Sequence, residues 1–160
     1  MSVAFIALGS NLGDARAQVL AAFEALAQLP GTQLLARSPL YLTPPWGVLE
    51  QPPFINAVAQ VDTTLTPHEL LDALLAIERA AGRVRDGERW GPRTLDLDVL
   101  HLDGVTLSDQ RLSLPHPRIR ERAFVLLPLH DLAPGLELPG QGQVADLLAA
   151  LDTAGCERLP

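Results

Sequence analysis

Apolar positions run together or alternate in some stretches of this chain and recur at helical spacing in others. VAFIAL (3–8) is a continuous apolar run that predicts a short buried strand ending at Gly9-Ser10-Asn11. From Asp14 a helix is predicted, with Val19, Phe23 and Leu26 at helical spacing and Pro30-Gly31 as its stop. Residues 33–42 predict a second strand, interrupted or edge-placed at Pro39. The segment 43–54 holds four prolines and predicts a stiff loop. FINAVAQVD then alternates as a strand. Ile55, Ala57, Ala59 and Val61 take one face; Phe54, Asn56, Val58 and Gln60 take the other.

Thr66-Pro67-His68-Glu69 predicts a helix start, with Thr66 as N-cap, Pro67 at the first helical position and Glu69 closing a capping box. The helix should run to about Gly82. Its apolar face of Leu71, Leu74 and Leu75 continues to Glu78, which reads on structural grounds as a boundary carboxylate paired with an arginine. GRVRDGERWGP (82–92) predicts a second long loop. LDLDVLHL follows as a strand, and Asp103-Gly104 predicts a hairpin turn into Val105-Thr106-Leu107. HPRIRERAFVLLPL predicts a helix broken or ended near Pro128, and residues 143–151 a short amphipathic helix. Intermingled strands and helices point to an α+β sandwich with a largely antiparallel sheet, in a single domain spanning 1–160.

Charge narrows the picture. A net charge of −7 disfavours a nucleic-acid partner, since backbone phosphates demand a positive surplus. No apolar run is long enough to span a bilayer, and the N-terminus lacks a basic signal-peptide region, so a cytoplasmic location is expected. One cysteine and four dispersed histidines give no disulfide and no short zinc motif. The twelve basic residues are all arginine, and nine of them lie between Arg79 and Arg122. Without lysine there is no P-loop, so a phosphate site here must use arginines, backbone amides and metal.

The unusual stretch is ERWGPRTLDLDVL (88–100), which places Asp96 and Asp98 inside an apolar strand. Residues two apart on a strand share a face, so their Cα atoms lie roughly 6 to 7 Å apart. Two such carboxylates repel unless a cation relieves them, and Mg²⁺ held by a few carboxylates plus substrate phosphates is a usual hard-ion arrangement. Alone, the pair reads first as a solvated strand face, since Asp is so often exposed. The arginine-rich loop before it, with Trp90, Gly87 and Gly91, adds countercharge and a candidate lid, which is the equipment of phosphoryl transfer.

These motifs, together with ALGSNLGD, YLTPPWG, FINAV, GRVR, RWGPRTLDLD and LPHPR…RAFVLLPL, closely resemble the 6-hydroxymethyl-7,8-dihydropterin pyrophosphokinases of folate biosynthesis, over essentially the whole chain. The resemblance implies a ferredoxin-like sandwich. It implies ATP with two Mg²⁺ ions, and diphosphate transfer to the pterin hydroxymethyl oxygen with release of AMP. Asp96 and Asp98 would hold the metals, and Arg83, Arg85, Trp90 and Arg93 would form or flank the catalytic lid. Glu78, Arg85, Trp90, Arg93, Val99, Arg111, Ser113 and His116 would serve the nucleotide. Phe54 and Phe124 would sandwich the pterin, Asn56 would bond its edge, and Gly9, Thr43, Pro44, Trp46 and Arg122 would complete that pocket. Phe54, Leu75 and Pro117 depart from residues found in some members, and none touches the acidic pair. A monomer without membrane or nucleic-acid partners is expected. A silent pterin- or nucleotide-binding module and a two-metal nuclease are the competing readings; intact aspartates and arginines oppose the first, the acidic surface the second.

Overall fold

The computed structural model describes residues 1–44, 51–82 and 95–160. Its centre is an antiparallel sheet in which β4 (Phe54–Thr63) pairs with β1 (Ser2–Ser10), and β1 with β5 (Asp96–Leu102). The far side of β4 is shared. β2 (Thr32–Arg37) pairs with its second half and β3 (Tyr41–Thr43) with its first, so the interruption at Pro39 splits one predicted strand into two. A late strand, β10 (Glu157–Arg158), covers the outer edge of β3.

Alternation along β1 and β4 sends side chains to two separate cores. On one face Ala4, Ile6, Leu8, Ala57, Ala59 and Val61 meet α1 (Ala15–Ala27) and α2 (Pro67–Ala80) through Val19, Phe23, Leu26, Leu70 and Leu74. Each fully buried aliphatic or aromatic side chain contributes roughly 1.5–3 kcal/mol here. On the other face Phe5, Val58 and Leu100 meet α3 (Ala123–Leu132) and α4 (Val144–Ala149). The helices start where the sequence signals them: the Asp14 carboxylate accepts the Ala17 N–H, and Thr66 and Glu69 form the reciprocal capping box.

Two expectations need correction. Asp103-Gly104 does turn, with Gly104 at φ 74° and the Val105 N–H donating to the Leu102 carbonyl. No hairpin with β5 follows: β6 (Leu107–Ser108) pairs with β7 (Ser113–Leu114). Backbone groups of β5 are taken instead by Glu78, which accepts from Leu97, and by His116, which donates to Leu100. The predicted helix over HPRIRERAFVLLPL is also displaced. A 3₁₀ turn at Ile119–Glu121 precedes α3, which carries Pro128 in its interior and continues to Leu132. Pro128 has no N–H to offer its helix, yet Leu126 and Leu129, both fully buried on either side of it, fasten the segment to the sheet.

Candidate active site

The register lines up one row of residues across four strands: Tyr41 on β3, Asn56 on β4, Gly9 on β1 and Asp96 on β5. The next row toward the sheet centre holds Val58, Ala7 and Asp98. Paired residues of a sheet share a face. Phe54, Asn56, Asp96 and Asp98 therefore stand on the α3 side of the sheet.

Asn56 is fixed by its neighbours. Its Nδ2 donates to the Thr43 hydroxyl at 2.6 Å, and Thr43 is itself buried. A Cβ built on Gly9 would come within 2.7 Å of Asn56 Oδ1, so the space Gly9 leaves is filled by the carboxamide oxygen. Gly9 thus acts on the site through Asn56. Phe54 is half-buried and, among the described residues, belongs to neither core. Phe124, in the first turn of α3, packs partly on the second core, and the Arg122 guanidinium stands 5.7 Å from its ring centre. Pro44 is exposed next to Thr43.

Charges gather at the N-terminus of α3. Arg122 is its N-cap residue. Burial pushes the Arg122 guanidinium below its ordinary value and Arg118 adds to this, while Asp98 and Asp96 oppose it. His116 feels the same neighbourhood. Burial, then Arg122 and Arg118, push it down to about 4 against the pull of Asp96. Its Nδ1 accepts the Arg118 backbone N–H at 3.2 Å, so the neutral ring carries its proton on Nε2. Gln141 Nε2 donates to the His116 carbonyl and holds the segment from the far side.

Glu78 is not at a boundary. It is 2 % exposed at the end of α2, and its Oε2 accepts the Leu97 N–H at 2.7 Å, between the two aspartates. Val99 is buried on the α2 side of β5. Ser113 lies half-buried on β7, and Arg111 is exposed and ion-paired with Asp72 of α2. The structure thus brings Phe54, Asn56, Thr43, Gly9, Asp96, Asp98, His116, Arg122 and Phe124 to one face. Arg111 is engaged on the α2 side. Trp46, Arg83, Arg85, Trp90 and Arg93 lie outside the described residues. Sequence reasoning missed Arg118 and Tyr41. Arg118 stands two residues after His116, but a proline-flanked turn gives no periodicity to follow; Tyr41 sits in a three-residue strand too short to show alternation.

The acidic pair fits a hard divalent cation. Asp96 and Asp98 project side by side next to cationic Arg122, and a hard ion needs such oxygen donors. Among the described residues no group of three or more His, Cys, Asp or Glu could form a complete cage. The remaining ligands would then come from phosphate and water, as is usual for Mg²⁺.

The family described as 7,8-dihydro-6-hydroxymethylpterin-pyrophosphokinase (HPPK) matches residues 5–134. The chain belongs to this family. A protein of Methylorubrum extorquens is 52% identical over 159 residues, covering 99% of both chains, and one of Pseudomonas aeruginosa is 54% identical over 156 residues, covering 98% of this chain and 96% of that one. Both carry the name 2-amino-4-hydroxy-6-hydroxymethyldihydropteridine pyrophosphokinase. Among solved structures, a Plasmodium falciparum HPPK-DHPS triple mutant with pteroate matches with a TM-score of 0.74 at 14% identity, over 98% of this chain and 46% of that one. At that identity the likeness shows the HPPK fold alone, and the chain spans about half the length of the solved chains it matches.

Proposed function

We propose that the α3-facing end of the sheet is where ATP and pterin meet in the reaction of this family, transfer of diphosphate from ATP to the hydroxymethyl group of 6-hydroxymethyl-7,8-dihydropterin. The observation that carries this is the row Asn56–Gly9–Asp96, which sets an amide edge and an acidic pair on one face. A flat polar heterocycle needs ring faces and fixed edge partners. Phe54 and Phe124 supply the faces and Asn56, oriented by Thr43, the edge, with Pro44 and Trp46 as walls and Gly9 leaving room for the Asn56 carboxamide. Arg122 lies between this pocket and the acidic pair and serves both.

Asp96 and Asp98 would hold two Mg²⁺ ions, which supply neutralisation of the triphosphate and a lowered hydroxyl pKa. The hydroxymethyl oxygen attacks the β-phosphorus and loses its proton; the bond from that phosphorus to the α,β-bridging oxygen breaks, and AMP departs. The neutral His116 offers its Nε2–H to phosphate oxygen as the negative charge shifts. Arg111, Ser113 and the Val99 backbone serve the nucleotide, and Arg83, Arg85, Trp90 and Arg93 complete the phosphate grip. Glu78 holds β5 through Leu97 and thereby sets the acidic pair. The protein acts as a single-domain cytoplasmic monomer on small molecules. No helix among the described residues is long and apolar enough to cross a membrane.

AMP release, measured with and without the reduced pterin alcohol, tests this reading. Release that depends on the pterin and is abolished in Asp96→Asn supports it. Pterin-independent hydrolysis, or full activity of the variant, rejects it.

A further inference from the structure

We propose that Asp131 is a positioning residue of the pterin pocket, acting through Tyr41; this rests on the assignment of Asn56 and its neighbours to the pterin. Tyr41 occupies the β3 place in the site row, directly beside Asn56, and is 5 % exposed. Its hydroxyl donates to Asp131 Oδ2. Asp131 lies in the last turn of α3, the helix whose first turn presents Phe124. The bond therefore ties together the two elements that wall the pocket. One is the strand whose Thr43 hydroxyl orients the Asn56 carboxamide; the other is the helix bearing the second aromatic face.

A buried tyrosine usually finds some partner for its hydroxyl, so the bond alone would be ordinary packing. Where its ends lie makes it more. β3 has three residues, and among the described residues it is held by β4, by β10, by Leu42 on the first core and by this side-chain bond to α3. A hydrogen bond to a carboxylate is strong and directional. It fixes how far β3, and with it Thr43, stands from α3. Loss of the acceptor frees the phenol to turn and lets the strand shift, and Asn56 then loses its orienting partner.

The chain has a single tyrosine, which gives the proposal a direct readout. Burial, then the Asp131 bond and charge, push the Tyr41 phenol up to about 12, with Arg158 pulling it down and Cys156 adding slightly. Tyrosinate absorbance in an alkaline titration reports this group alone. Asp131→Ala should move the midpoint from about 12 toward the ordinary 10.0. It should also weaken binding of the reduced pterin alcohol roughly three- to tenfold, as the loss of one hydrogen bond does. That binding is measured by calorimetry with Mg²⁺ and a non-hydrolysable ATP analogue present, and affinity for the analogue itself should not change. Asp131→Asn, which keeps an acceptor, should fall between. In a Tyr41→Phe background Asp131→Ala should have no further effect, because the two act as one unit.

An unchanged pterin affinity with a lowered midpoint overturns the proposal. So does an additive loss in the Tyr41→Phe background, or an equal loss for both ligands. Asn56→Ala separates the failures. If it weakens the pterin while Asp131→Ala does not, only the strut is wrong; if neither does, the pocket assignment falls and takes the proposal with it.

Discussion

The acidic pair is set among cations even before any ligand arrives, and this changes what its removal should do. Viewed as two bare carboxylates, Asp96 and Asp98 repel, and losing one would stabilise the protein. Arg122 stands near both and is itself half-buried, so Asp98→Asn should instead leave a less compensated guanidinium and lower the melting temperature slightly. Turnover should drop at least roughly 100-fold in Asp96→Asn and Asp98→Asn, since ligand charge is lost while shape is kept. Thermal melts and single-turnover assays on the two variants measure both effects. Asn56→Ala should cost about 1 to 3 kcal/mol of pterin affinity, with ATP affinity untouched, by calorimetry. His116 adds a pH dependence. Its folded value, about 4, lies below the ordinary 6.5, so the unfolded chain binds the proton first as pH falls. Stability should be full above about 6.5 and decline toward about 4, and urea melts of His116→Gln should show a flatter profile.

At the scale of elements, the hinge of the site is the edge strand β5, and the end of α2 holds it. Glu78→Ala should leave the Leu97 N–H buried without its acceptor, costing about 1 to 3 kcal/mol of stability. It should also lower kcat, because Asp96 and Asp98 flank that amide. Glu78→Gln retains an acceptor oxygen and should recover most of both, which melts and steady-state kinetics can check. The elements themselves were largely legible in the sequence, for local reasons. The capping box at Thr66, the Asp14 cap and the alternation from Phe54 to Val61 all act within a few residues. What sequence reasoning missed lies between distant residues. Nothing near Asp103-Gly104 says that β6 will pair with β7, and nothing near Glu78 points to an amide nineteen residues on. Tyr41 and Asp131, ninety residues apart, meet only through the packing of α3. The site residues came from motif resemblance, and the structure adds how Asn56, Gly9 and Thr43 lock one another.

On the scale of the whole molecule, the two faces of the sheet divide the work. The α1–α2 face is an apolar core, and the α3–α4 face gives up its core at one end to polar groups. Gly9→Ala probes that boundary from below: its methyl should displace the Asn56 carboxamide and weaken the pterin without loosening the α1–α2 core. Calorimetry set beside hydrogen exchange would separate the two. Far along the chain, β10 lays Glu157 and Arg158 against Leu42 and Tyr41, more than a hundred residues earlier. During synthesis, β3 must therefore wait with one edge bare until nearly all of the described chain has left the ribosome. The β3 edge beside Asn56 is then among the last parts of the molecule to be finished, and a nascent chain stalled before Glu157 should hold a folded core whose proposed pterin pocket is still incomplete at β3.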